Sequence, residues 1–151
     1  MGRRRGLIDS NVLIATATSD HIHNDPSARL LEAAGEQEFA TSIHCLSEFY
    51  NGTTRAQSNG GGALTPRQAL HALTAMEGAL EVLALSIADH RNAITRFATL
   101  GGIGPRIYDF LIGEVALIHG VDTIITWNTR HFVPLFPSLR ILTPAQYLET
   151  L

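Results

Sequence analysis

Short apolar runs alternating with stretches of helical period constrain this chain more than any other feature. Residues 6–9 read as a buried strand and 11–17 as a brief helix. A helix is predicted over about 26–35, where Pro26 suits a first turn, then a strand over 38–42 and a helix over 42–56. The glycine-rich stretch 58–65 reads as a loop, followed by a helix over 66–79, a strand over 81–86 and a helix over 87–100. After the GGIGP loop come a helix over 106–119 and a strand over 122–126. WNTRHF then carries a turn or short helix, ahead of a strand over 139–143 and a terminal helix from Pro144. Strands separated by helices predict an α/β fold, a single domain whose central, mainly parallel sheet is flanked by α-helices. Ligands of such sheets bind beyond the carboxyl ends of the strands. Asp9 lies at one such end and Asn128 just past another.

A chain of 151 residues is one domain, long enough to bury roughly 70% of its unfolded surface. Residues 1–5, with Arg3-Arg4-Arg5, read as a basic N-terminal tail, and 6–151 as the domain. The arginines could open a secretory signal, but Asp9 and Asn11 break the apolar run that should follow. No apolar stretch reaches the ~20 residues of a spanning helix, so no membrane is expected. The single cysteine, Cys45, excludes an internal disulfide and a Cys-rich zinc site, and fits a reducing cytoplasm. A net charge of −3 excludes broad basic nucleic-acid binding, though not a nuclease whose metal ions supply local positive charge. All 11 basic residues are arginine. Without lysine there is no P-loop NTPase, no Schiff-base chemistry and no aspartyl-phosphate enzyme of the kind that needs an active-site lysine.

Three carboxylates stand out. Asp9 interrupts the apolar GLIDSNVLIA, either as a turn or helix cap or as a group holding a cation; Ser10 is the better cap for a helix starting at Asn11. Asp109 sits in a helix that is apolar nearly all round, where a carboxylate needs a partner or a metal. Arg106 is the alternative structural partner, and Gly113 and Ala116 leave room on the same face for another backbone. Glu48 points away from the stripe Ile43, Leu46, Phe49 and Tyr50, as a solvent-facing glutamate also would. Brought together without a cation, such acids are costly: two charges about 4 Å apart repel by about 4 kcal/mol at an effective dielectric of about 20. Mg²⁺ relieves this and favours a few carboxylates plus water and phosphate oxygens.

LIDSNVLIA, TSIHCLSEFYNG and IYDFLIGEVALIHGVDTIITWNTRHF, in that order over residues 6–143, resemble the motif series of PIN-domain ribonucleases, particularly VapC-type toxins of bacterial toxin–antitoxin pairs. The resemblance implies Asp9, Glu48 and Asp109 as catalytic and metal-holding acids, with Asn128 at a fourth position that is often aspartate. It implies Mg²⁺, or Mn²⁺ as a substitute, and hydrolysis of RNA phosphodiester bonds by metal-activated water. It also implies a small cognate antitoxin, a homodimer and a cytoplasmic location. Ser10 and Asn11 resemble the small polar residues after the first acid, which orient water or phosphate. The competing expectations are a PIN nuclease in RNA processing outside toxin–antitoxin systems and a non-catalytic PIN-fold binding module.

Arg106, Arg130 and Arg91 are candidates for substrate phosphates, because arginine suits bidentate phosphate contact. His21 and His23 alternate as metal ligands do but lack a third partner, and a loop near the cleft mouth is expected. His131 either contacts substrate or caps a turn. Asp122 starts a strand and is expected to be structural, and Cys45 to be buried and inert. Core packing is the default for Leu30, Leu31, Leu70 and Leu73, with an antitoxin groove or dimer surface as the alternative.

Overall fold

The structure, a computed structural model, describes residues 6–33, 38–55 and 63–151. The basic tail 1–5 and most of the glycine-rich loop lie outside the described residues, as do the last residues of the helices expected over 26–35 and 42–56. Among the described residues the elements are β1 (Gly6–Ile8), α1 (Ser10–Ala17), α2 (Asn24–Ala33), β2 (Phe39–Ser42), α3 (Ile43–Thr54), α4 (Pro66–Ala79), β3 (Glu81–Leu83), α5 (Ile87–Thr99), α6 (Arg106–Ile118), β4 (Thr123–Ile125), α7 (Thr129–Phe132), β5 (Arg140–Leu142) and α8 (Pro144–Leu148). Every strand pairing is parallel and the order is β3-β2-β1-β4-β5. The α/β expectation holds. No described helix is long and apolar enough to cross a membrane.

Strands β1, β2 and β4 are buried along their whole length, as apolar strands covered by helices on both faces must be. Side-chain caps mark where several helices take over from the strands. Ser42 closes β2 and accepts from the His44 N–H, and Ser86, read as the end of a strand, caps α5 by accepting from the Asp89 N–H. Thr65 and Thr143 form capping boxes with Gln68 and Gln146, each followed by a proline in the first turn.

The chain runs β1-β2-β3 toward one edge, then returns to place β4 on the other side of β1. The order therefore reverses between β1 and β4, and the crevice beyond their carboxyl ends is where this class of sheet binds ligands. Leu7 and Ile8 pair with Ile124 and Ile125, and the Asp9 N–H extends the ladder to the Ile125 carbonyl at 3.0 Å. Asp9 and Thr126 thus leave the sheet side by side.

Four sequence expectations need correction. Helix α1 begins at Ser10, and Asp9 rather than Ser10 is its cap, accepting from the Ser10 N–H at 2.8 Å. Helix α6 is not buried all round: Tyr108, Leu117 and Ile118 are exposed, and its buried carboxylate is Glu114, 5% exposed, with both oxygens held by Arg96 of α5. The small surface at Gly113 admits a ring rather than a backbone. A Cβ there would lie 2.1 Å from Phe136, which packs on Phe110. Leu30, Leu31 and Leu73 belong to the core or pack against it, while Leu70 is exposed. Asp122 takes the Thr123 hydroxyl on its carboxylate and the Arg140 N–H on its carbonyl, away from the crevice, in the structural role expected.

Candidate active site

Asp9 is 3% exposed, and every group bonded to its carboxylate is neutral. Oδ1 accepts from the Ser10 N–H at 2.8 Å and lies 3.4 Å from Ser10 Oγ; Oδ2 accepts from Thr126 Oγ1 at 2.8 Å and Asn11 Nδ2 at 3.1 Å. Its pKa is pushed up to about 6, chiefly by burial and further by the charges of Asp109 and Glu48, against the Thr126 and Ser10 hydrogen bonds. The two readings of Asp9, helix cap and member of an acid cluster, are both satisfied by one side chain.

Thr126 is the hub beneath it. Its hydroxyl donates to Asp9 and accepts from Asn11 Nδ2 at 3.1 Å and the Asn128 N–H at 3.0 Å, which uses its one donor and both acceptor positions. Asn11 Oδ1 in turn accepts from the Trp127 N–H. Ser10 and Asn11, expected to orient water or phosphate, direct their polar atoms at the acids. Ser10 Oγ bridges to Glu48 Oε2 at 3.1 Å, linking the first acid to the second.

Glu48 stands on α3 at the border of a buried face made of Cys45, Leu46, Phe49 and Thr53. Ile43 and Tyr50, read as part of the apolar stripe, are exposed, so the face is rotated from the one expected and Glu48 lies at its rim. One turn earlier, His44 brings Nε2 to 2.8 Å from Glu48 Oε1. That contact, more than any other, raises the His44 pKa. Asp109, in the first turn of α6, takes His131 Nδ1 at 3.1 Å on Oδ2. Burial raises its pKa and the His131 charge opposes the rise; Arg106, the alternative structural partner read from sequence, acts on it only as a weaker charge.

The fields of Asp109 and Glu48 both reach Asp9, so the three acids share one electrostatic neighbourhood. Each outer acid is turned onto a histidine, and among the described residues no three His, Cys, Asp or Glu side chains stand in a metal-ligand arrangement. The donor set nonetheless suits a hard divalent ion: three carboxylates, all oxygen, the innermost with no cationic partner. Asn128 caps α7 by position only, with an exposed side chain and no side-chain cap bond. Arg106 and Arg130 are exposed at the starts of α6 and α7, and Arg91 bonds Thr95 within α5. His21 accepts from the His23 N–H, and His23 stacks on Trp127 with ring centres 3.8 Å apart, beside the crevice rather than in a metal site. Cys45 is buried, its thiol pushed up to about 12 chiefly by burial, and offers no thiolate. A mostly apolar pocket of about 320 Å³ lies on a different face of α6, against Arg96, Glu114, Leu117 and Phe136, and none of the three acids lines it.

His44, Thr126 and the Arg96–Glu114 pair were not singled out in the sequence. His44 carried a signal, a histidine four residues before a glutamate on one helix. Thr126 carried none, because only the register of β1 against β4 sets it beside Asp9.

An acid cluster at the reversal point of a five-stranded parallel sheet defines an α/β domain with an acidic crevice. The chain belongs to the PIN domain family, whose model matches residues 6–133. Three solved structures share the fold. The VapC20 toxin of Mycobacterium tuberculosis, described as cleaving the sarcin-ricin loop, aligns with a TM-score of 0.68 at 16% identity, covering 89% of this chain and 98% of that one. A toxin–antitoxin complex from Klebsiella pneumoniae aligns at 0.64 and 21%, covering 92% and 97%. VapBC2 of Rickettsia felis, bound to a promoter DNA fragment, aligns at 0.62 and 21%, covering 89% and 95%. At these identities the likeness establishes the fold. A search of curated proteins by sequence finds no match.

Proposed function

We propose that this protein is a metal-dependent endoribonuclease and the toxin of a VapBC-type toxin–antitoxin pair. The observation that carries the reading is a buried Asp9 in a PIN domain, without a cationic partner, linked through Ser10 Oγ to Glu48 and lying within the field of Asp109. Asp9, Glu48 and Asp109 would hold Mg²⁺ or Mn²⁺, which supplies Lewis acidity toward water and phosphate oxygens. The chain's own residues keep the acids in place. Thr126, Asn11 and the Ser10 N–H fix both oxygens of Asp9, Ser10 Oγ ties Glu48 to it, and His44 and His131 orient the outer acids. Arg106 and Arg130 are the proposed contacts for substrate phosphates. Neighbours described as toxin–antitoxin complexes support an antitoxin partner; a homodimer and a cytoplasmic location are part of the proposal.

The purified protein is expected to cut RNA internally with Mg²⁺ or Mn²⁺ and to stop with EDTA. Activity that survives chelation contradicts the metal mechanism. Production of the protein in bacteria is expected to arrest growth, with relief by the product of an adjacent small gene. Cleavage without arrest would favour a PIN nuclease of RNA processing instead.

A further inference from the structure

The first turns of the two helices that carry the outer acids are joined by a pair of rings. His44, one turn before Glu48, stacks on Tyr108, which immediately precedes Asp109; the rings are 4.9 Å apart and within 9° of parallel. At the His44 edge, Nε2 lies 2.8 Å from Glu48 Oε1. Tyr108 is exposed and His44 only partly so, so the accessible side of the stack belongs chiefly to the tyrosine. The other ring pair at the crevice differs. Trp127 donates from Nε1 to Ser27 Oγ at 2.9 Å, packs against the core and is covered on a face by His23. Of these four rings Tyr108 is the one that is exposed, and among the described residues His44 is its one ring partner.

We propose that Tyr108, stiffened by its stack on His44, is a platform for an unpaired nucleobase next to the phosphate being cut. The inference rests on the nuclease reading and adds a residue to it: Tyr108 seats one base flanking the cut, in RNA whose bases are free to leave their own stack. Base-on-aromatic stacking tolerates any sequence, because every base offers a π face. It also needs no positive charge, which suits a surface adjoining three carboxylates. A duplex, whose bases already stack on one another, offers no such face.

The test uses single-stranded oligoribonucleotides with 2-aminopurine scanned along the interior, whose fluorescence falls when the base stacks. Binding is measured with EDTA and again with Mg²⁺, beside a duplex of the same sequence and alongside RNA cleavage. The wild type is expected to quench the probe and prefer the single strand. Tyr108→Ala should lose the quench and weaken binding by about tenfold, and Tyr108→Trp should retain both. Should Tyr108→Ala fail to fold, Tyr108→Leu, which keeps apolar cover on His44, answers the same question. Equal quenching and affinity in Tyr108→Leu and wild type, or no quenching by the wild type, overturns the platform. Tyr108-dependent quenching without any cleavage upholds the platform and removes the nuclease reading. Cleavage with binding indifferent to Tyr108 does the reverse.

Discussion

Thr126 Oγ1 lies 2.8 Å from Asp9 Oδ2, so a side-chain hydrogen bond joins the ends of β4 and β1 where the strand order reverses. The hydroxyl has no free valence left, because the Asn11 amide and the Asn128 N–H occupy its acceptor positions. Thr126→Val removes the donor to Asp9 and leaves two donors without their acceptor. A loss of about 2–3 kcal/mol in unfolding free energy is expected, with a larger proportional loss of RNA cleavage. Thr126→Ser should recover most of both. Urea melts and cleavage rates on the two variants check this; equal behaviour of Val and Ser would show the hydroxyl to be idle.

The raised pKa of Asp9 fixes the sign of a pH effect. A carboxyl near 6 when folded and 3.8 when unfolded binds its proton more tightly in the folded state, so this group's contribution to stability falls as pH rises from about 4 to above 6. About two pH units correspond to roughly 3 kcal/mol. Asp109, also raised, acts in the same direction. In EDTA, the melting temperature of the wild type relative to Asp9→Asn is therefore expected to drop between pH 4.5 and about 6 and to level off toward pH 7. A constant difference across that range contradicts the burial of an unpaired charge at Asp9.

Much of this architecture was legible in the sequence. The alternating periods located the strands and helices because the central strands β1, β2 and β4 are buried and most capped helices start at a residue whose side chain accepts a backbone N–H. The three acids were found as types at positions, but their surroundings were not. The carboxylate that an apolar α6 had to neutralise is Glu114, whose partner Arg96 lies 18 residues away on another helix. The Glu48 face was misjudged because Ile43 and Tyr50 are apolar residues left in water, while Thr53 is buried. Thr126 becomes a site residue only through strand register, and His131, read as a substrate contact or a turn cap, meets Asp109 through the placement of α7; periodicity encodes neither.

The Arg96–Glu114 pair makes a separate prediction about stability. Arg96→Ala leaves a buried carboxylate without its charge partner, and a loss of about 2–3 kcal/mol is expected; this is below the cost at a wholly buried pair, since the guanidinium is half in water. Replacing both residues with Leu should be milder than Arg96→Ala alone. A double variant less stable than the single one would mean that the pair itself, rather than the stranded charge, governs the cost.

Gly113 faces the Phe136 ring too closely for a Cβ. Gly113→Ala should gain helix propensity yet lose about 1–3 kcal/mol overall, because the ring and its stack on Phe110 must move. Thermal melts of Gly113→Ala and of Gly113→Ala with Phe136→Leu separate the two effects. Failure of the smaller partner to restore any stability would place the strain elsewhere.

A Mn²⁺ titration followed by electron paramagnetic resonance, on the wild type and on Asp9→Asn, Glu48→Gln and Asp109→Asn, bears most directly on the grouping of the acids. The wild type should take up Mn²⁺, with the affinity reduced at least tenfold in each variant while circular dichroism shows the fold retained. Undiminished Mn²⁺ uptake in all three variants would mean that Asp9, Glu48 and Asp109 do not serve one ion.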